Sequence, residues 1–318
     1  MTSSPALAVR DLTRRFGELV AVDGLSFEVG QGELFGLVGP DGAGKTTTLR
    51  MLAGVLPPSS GDAVVLGTSV ARDPERVKQD LAYMSQRFGL YADLTVRENL
   101  QFYADLYEVP AAELPARLER LYRFSNLEPF ADRFAGKLSG GMKQKLGLSC
   151  ALVHEPRVLL LDEPTFGVDP VSRRDLWIIV HEMVARGVTA VVSTAYMDEA
   201  ERFDRMALLH RGRIVALDTP EALQSELAGR LLGYRAEPIR EARIAAAAVP
   251  GVARATVFGE WLHVTVAEGA AVTARLDAAL REAGCTVHEH HPIEPSLEDV
   301  FMDRVAEADA TGAAESRP

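Results

Sequence analysis

Lys45 and Thr46 close the glycine-rich stretch Gly39-Pro40-Asp41-Gly42-Ala43-Gly44-Lys45-Thr46, whose residue types suit the holding of a chain of phosphates. Glycines let backbone N–H groups close around phosphate oxygens. Lys45 would neutralise the β and γ phosphates and Thr46 would offer its hydroxyl to Mg²⁺. A helix beginning there adds the positive end of its dipole. Far downstream, the apolar run Val158-Leu159-Leu160-Leu161 ends in Asp162-Glu163. A carboxylate closing a buried strand is costly unless it holds a cation, which assigns Asp162 to Mg²⁺ through water. In-line attack on a γ-phosphate needs a carboxylate beyond it, and Glu163 is the natural general base. A chance glycine turn and an acidic pair that merely caps the next segment are the plainer alternatives, and the strand-loop-helix context weighs against both.

Two further residues are candidates by position. Gln86 lies where the sheet core gives way to a helical stretch, so its amide can touch both Mg²⁺ and the attacking water; a lone glutamine is otherwise a surface residue. Phe16 can stack on adenine, because an aromatic face binds a base with little need for hydrogen bonds. It can equally pack in the core.

These side chains need a framework. Gly32 to Val38 reads as a short buried strand entering the glycine loop, and Thr46 to Gly54 as a helix with Leu49 and Leu52 on one face. Leu7 to about Val29 alternates loosely around Gly17 and Gly24, which predicts two strands forming a β edge. Arg87 to Ala151 is mostly helical and interrupts the α/β pattern; Thr95-Val96-Arg97-Glu98 is a capping box that should start a helix. After the strand Val158 to Leu161, Asp169 can cap a helix with Pro170 at its first position. Its buried stripe is Leu176, Ile179, Val180 and Met183, and Gly187 ends it. Val188 to Ser193 and Met206 to Leu209 are further strands.

Beyond Leu227 the pattern changes. Strand Leu231 to Ala236, helix Ile239 to Ala248, strands Val252 to Phe258 and Leu262 to Val266, helix Val272 to Ala283 and strand Thr286 to His291 give βαββαβ, a ferredoxin-like order. Ser296-Leu297-Glu298-Asp299 caps a last short helix carrying Val300, Phe301 and Val305. The expected division is residues 1–227 for the nucleotide-binding part, with a helical subdomain at about 87–151. A regulatory or dimerising α+β domain follows at 228–305, then a disordered tail at 306–318.

Composition narrows the partners. With 318 residues, 47% of them hydrophobic and 25% charged, the chain has an ordinary globular balance. It has no apolar run long enough to cross a bilayer alone. A net charge of -11 argues against broad binding to nucleic acid or an anionic lipid surface. Cys150 and Cys285 form no framework or metal spacing, and Met1 to Leu12 lacks a secretion signal, so two free thiols in a reducing cytosol are expected. His288, His290 and His291 alternate between strand faces, which disfavours a three-ligand metal site.

Together with Leu138-Ser139-Gly140-Gly141-Met142 ahead of the acidic strand, these motifs resemble the nucleotide-binding subunit of ABC transporters over Leu7 to about Leu227. The resemblance implies an α/β P-loop NTPase core of ABC type with an antiparallel β subdomain and a helical subdomain, followed by the small α+β domain. It makes Phe16 the adenine-stacking aromatic and Gly39, Pro40, Asp41, Gly42, Ala43, Gly44, Lys45, Thr46 and Thr47 the phosphate loop. Thr46, Gln86 and Asp162 would hold Mg²⁺, while Glu163, Gln86 and Lys45 carry the chemistry. Ser139, Gly140 and Gly141 would bind the γ-phosphate of ATP held by a second copy, and Asp169, in Gly167-Val168-Asp169-Pro170, matches a loop at the dimer interface. Tyr196-Met197-Asp198-Glu199-Ala200-Glu201 and Pro295-Ser296-Leu297-Glu298-Asp299-Val300-Phe301 look like the bacterial drug- and polysaccharide-exporter branch. Implied is an ATP-hydrolysing homodimer using ATP and Mg²⁺, with no nucleic acid partner. It would sit on the cytoplasmic face of the cell membrane through integral membrane permease subunits, which dimer closure drives.

One position departs from the family. A switch histidine normally falls between Thr194 and Tyr196, where this chain has Ala195. Losing one preorganised donor costs on the order of 10²–10³ in rate. His210 and His154 are poorly placed substitutes and read as surface residues, and Asp41, where asparagine is common, is tolerable if it faces away. The alternative function is therefore a slowly hydrolysing regulatory ATP-binding module paired with a competent partner. A third class, a cytosolic ABC protein acting on ribosomes or DNA, lacks its usual marks, a second ATPase half or a long coiled-coil insertion. Phe88, Leu90 and Tyr91 either receive a short helix of the permease or fill the helical subdomain's own core.

Overall fold

The computed structural model describes residues 4–86, 89–267 and 272–315, and the chain divides into two compact units after Leu217. In the first unit run β1 (Leu7–Phe16), β2 (Leu19–Val29), β3 (Leu34–Val38), α1 (Lys45–Leu52), β4 (Ser60–Val65), β5 (Thr68–Ser69), α2 (Pro74–Gln79) and β6 (Leu81–Met84). Then come α3 (Val96–Leu106), α4 (Leu114–Ser125), α5 (Gly140–Leu152), β7 (Val158–Asp162), α6 (Pro170–Ala185), β8 (Thr189–Thr194), α7 (Met197–Ala200), β9 (Arg205–His210) and β10 (Arg213–Asp218).

Two sheets result. The larger has the order β10-β9-β3-β8-β7-β6, with β9, β3, β8, β7 and β6 pairing in parallel. Every residue of β3, β7 and β8 is buried, as the near-continuous apolar runs of a parallel sheet covered on both faces require. The smaller sheet is antiparallel, order β2-β1-β4-β5. Sequence patterning had given the expected β1, β2, β3, β7, β8 and β9 but no reading of β4, β5, β6 or β10. The glycine-loop helix begins at Lys45, one residue before the expected Thr46.

Between β6 and β7 lie α3, α4 and α5, with two short 3₁₀ turns between α4 and α5. At the start of α3, Thr95 accepts from the Glu98 amide while Glu98 reaches back to the Thr95 amide, the reciprocal box read from the sequence. Asn99, fully buried, ties the preceding loop down by donating to the Tyr91 and Leu94 carbonyls and accepting from the Tyr91 amide.

The second unit contains α8 (Pro220–Ser225), β11 (Leu231–Glu237), α9 (Ile239–Ala247), β12 (Val252–Phe258), β13 (Trp261–Val266), α10 (Thr273–Glu282), β14 (Thr286–Pro292) and α11 (Leu297–Glu315). Its antiparallel sheet has the order β12-β13-β11-β14, the ferredoxin-like arrangement, around a core that includes Tyr234, Leu262, Val264, Leu276 and Leu280.

Two expected boundaries move. The division falls after Leu217, not Leu227, because α8 packs against α11 and Glu226 pairs with Arg304. The last helix is not short: it runs to Glu315, through most of the stretch 306–318 expected to be disordered. Ala306, Ala308 and Ala310 carry the best helix propensity of any residue, enough to extend a helix already started. That start is firm, since Asp299 accepts from the Ser296 amide and hydroxyl and also meets His263 Nδ1 at 2.8 Å. His288, His290 and His291 are exposed, and no cluster of three or more histidine, cysteine, aspartate or glutamate side chains able to hold a metal ion occurs among the described residues.

Candidate active site

The glycine loop is fixed by close backbone approach. A Cβ on Gly39 would lie 2.4 Å from the Leu209 carbonyl oxygen; Gly44, at φ +104, would put one 2.7 Å from that of Ala21. No larger residue fits either position. The loop delivers Lys45, only 4% exposed, to the first turn of α1. Its ammonium donates to the carbonyls of Gly39 at 2.7 Å and Pro40 at 3.1 Å, and pairs with Glu163 Oε1 at 3.1 Å.

Asp162, buried at the end of β7, accepts from the Thr46 hydroxyl at 2.9 Å, the Ser193 hydroxyl at 2.8 Å and the Tyr83 hydroxyl at 3.2 Å. Burial, and then the Asp162 charge, push the Tyr83 phenol up to about 12, so it stays a donor at neutral pH. A buried carboxylate beside a threonine hydroxyl is the kind of oxygen pair that suits Mg²⁺, a hard cation that keeps several of its waters. The donor set therefore fits the ion that the motifs call for.

Glu163 turns the chain at φ +49, a left-handed conformation that costs a non-glycine residue about 1–3 kcal/mol. Its amide donates to the Ser193 carbonyl at 3.1 Å and hydroxyl at 3.0 Å, which holds the turn. Its carboxylate accepts from Gln86 Nε2 at 2.8 Å. Lys45, Thr46, Gln86, Asp162 and Glu163 are thus brought together by β3, α1, β6 and β7.

Lys45, Thr46, Gln86 and Glu163 face a cavity of about 750 Å³ also lined by Asp41 to Gly44, Thr47, Phe166 and Phe16. The volume lies inside the range of about 300–1,000 Å³ typical of ligand pockets. Phe16 is 45% exposed, with the Arg14 guanidinium 4.7 Å from its ring centre, which removes the core-packing alternative.

Ser139, Gly140, Gly141 and Asp169 do not line this cavity. They form a separate surface of their own. Ser139 caps α5 by accepting from the Met142 amide, and Asp169 caps α6, with Pro170 first, by accepting from the Ser172 amide. The two caps touch: a Cβ on Gly141 would fall 2.2 Å from Ser172 Oγ and 3.2 Å from Asp169 Oδ2. Ser139 and Gly140 are exposed.

Ala195 is exposed at the end of β8, and the hydroxyls of the two residues before it are engaged elsewhere. The Ser193 hydroxyl is given to Asp162 and that of Thr194 to Glu199 at 2.8 Å. Glu199, 1% exposed, also accepts from Trp177 Nε1, and Arg173 lies over the Tyr196 ring. His154 and His210 are not the surface residues expected: both are half-buried. His154 follows α5 and stacks on Tyr107 at 4.0 Å, and burial pushes it down to about 4.

Of the three expected docking residues, Phe88 lies outside the described residues. Tyr91 is 48% exposed, with its ring edge against Phe102, and so does not fill the helical core; Leu90 and Gln86 line a cavity of about 270 Å³ with Lys143 and Gln144. Sequence reasoning missed Tyr83, Ser193 and Glu199. The apolar run Leu81 to Met84 directly before Gln86 was the available signal for Tyr83.

A family model described as ABC transporter matches residues 22–166. The chain is 42% identical to the "Probable multidrug ABC transporter ATP-binding protein YbhF" of Escherichia coli (strain K12) over 93% of its own length, but spans only 51% of that relative. With the "Nod factor export ATP-binding protein I" of Paraburkholderia xenovorans (strain LB400) it shares 37% identity over 93% of this chain and 96% of the relative. Among solved structures, an ATP-binding subunit of an ABC transporter superimposes with a TM-score of 0.64 at 33% identity, covering 70% of this chain and 92% of that one.

Proposed function

Because the chain belongs to the ABC transporter family of ATP-binding proteins, we propose that it binds and hydrolyses ATP as the motor subunit of an exporter. Two copies close around two ATP molecules and drive a separate membrane permease from the cytoplasmic face. The observation that carries this reading is the convergence of Lys45, Thr46, Gln86 and Glu163 on one cavity, with Asp162 bonded to the Thr46 hydroxyl. The chain spans about half of YbhF, whose name describes a multidrug transporter, and nearly all of a Nod factor export protein. The second of these names supports an exported cargo.

In this mechanism the adenine stacks on Phe16 and the phosphates enter the loop from Gly39 to Thr47. The γ-phosphate competes with Glu163 for the Lys45 ammonium, so nucleotide entry frees the base. Thr46, Asp162 and Gln86 would hold Mg²⁺, which would supply positive charge against the triphosphate. Glu163 then takes a proton from a water oriented by the Gln86 amide, and that water attacks in line. Ser139 and the α5 N-terminus of the second copy complete the anion site from the far side.

A second reading rests on Ala195. With the Ser193 and Thr194 hydroxyls committed and alanine at the position of the histidine, the γ-phosphate lacks one donor, and the chain would close on ATP yet turn it over slowly beside a competent partner. Steady-state phosphate release from purified chain separates the two. The motor reading expects measurable turnover that Glu163→Gln lowers about 10²–10⁴-fold. Binding without turnover, raised by Ala195→His about 10²-fold, would replace it with the regulatory one.

A further inference from the structure

At the amino ends of β7 and β8, opposite the phosphate loop, α4, the turn between α5 and β7, and the end of α6 surround a further cavity of about 310 Å³. β7 separates it from Asp162 by about 16 Å, at roughly 3.3 Å per residue. Leu121, Phe124, Leu152, Met183 and Val188 give it an apolar floor.

Its rim is basic, in a chain whose net charge is -11. Arg117 and Arg120 line it, and both are already paired with Glu155. Arg157 and Arg186 also line it, and neither pairs with a carboxylate among the described residues. The Arg186 guanidinium stacks on the Phe124 ring at 4.7 Å, which occupies its flat face and leaves its N–H edge for a ligand. The C-termini of α5 and α6 oppose an anion with about half a charge each, which two unpaired guanidiniums outweigh.

We propose that this cavity binds an amphiphile with a short apolar tail and one anionic head, the tail on the Leu121–Phe124 floor and the head between Arg157 and Arg186. Such a ligand bridges α4 to the far ends of α5 and α6, the helices whose first turns carry Ser139 and Asp169. The proposal is independent of any step in ATP hydrolysis.

Calorimetric titration of the full chain with octyl phosphate below its micelle concentration tests it. One saturable site is expected, with octanol and inorganic phosphate each binding at least tenfold more weakly. Arg157→Ser combined with Arg186→Ser should weaken octyl phosphate at least tenfold, and Val188→Phe should block it by filling the floor. ATP binding, measured alongside, should be unchanged in both variants and shows that they are folded. Flotation with phosphatidylglycerol vesicles that both variants abolish would assign the head group to a bilayer lipid, and its absence to a free amphiphile. No saturable octyl phosphate binding, equal binding by octanol, or unaltered binding to both folded variants overturns the proposal.

Discussion

The phosphate loop and the Ser139 turn are both glycine-bearing helix N-termini, yet they are partnered in opposite ways. At the loop, Lys45 and Asp162 are buried and meet six other side-chain or carbonyl partners, Gly39, Pro40, Thr46, Tyr83, Glu163 and Ser193. At the turn, Ser139 and Gly140 are exposed, and the Ser139 hydroxyl serves only as the cap of its own helix. Charge that is buried must be compensated inside the chain, so the loop half is complete by itself. The turn half is shaped and open, as a surface used by a second molecule would be. Its shape comes from packing: Gly141 is the residue that lets the caps of α5 and α6 approach.

Ser139→Asp probes the contrast hardest. Aspartate keeps the helix cap but sets a carboxylate where the partner's γ-phosphate would lie. Turnover should fall about 10²-fold, with ATP affinity of the single chain unchanged. Equal loss of both would mean that the turn acts within its own chain.

Gly141→Ala tests the packing beneath the turn. The added methyl group must displace Ser172, at a cost of about 1–3 kcal/mol. Thermal unfolding should drop by about 2–4 °C per kcal/mol, and an unchanged melting temperature would contradict the close approach.

The smallest effect is expected at the other end of α5. Burial lowers His154 from its ordinary 6.5 to about 4, so the unfolded chain takes up that proton first. Its contribution to stability is complete above pH 6.5 and is lost as pH falls to about 4. His154→Phe should flatten stability across that window in denaturant titrations; an unaltered acid slope would show that His154 is not the group responsible.

The site was legible where chemistry dictates residue type. A loop that must wrap phosphates needs Gly39, Gly42 and Gly44 in sequence, and a buried strand ending in Asp162-Glu163 has few other uses. Supporting residues were hidden because their types are common: Ser193 and Tyr83 become hydrogen-bond donors to Asp162 only once β8 and β6 flank β7. β6 itself is four residues long and too short to show a period. In the second unit, alternation was enough to read βαββαβ, but not to see that α8 joins α11 through Glu226 and Arg304, a tertiary contact no local pattern carries. The length of α11 was misread because alanine and acidic residues suit a disordered tail as well as a helix.

The central claim is that one triphosphate is held by the Lys45 loop of one copy and the Ser139 turn of another. Sedimentation of the Glu163→Gln chain saturated with ATP and Mg²⁺, with its permease supplied, tests this most directly. The account predicts paired ATP-binding chains with two nucleotides per pair, a pairing that Ser139→Asp abolishes. Unpaired chains each carrying ATP, or pairing indifferent to Ser139, would contradict it.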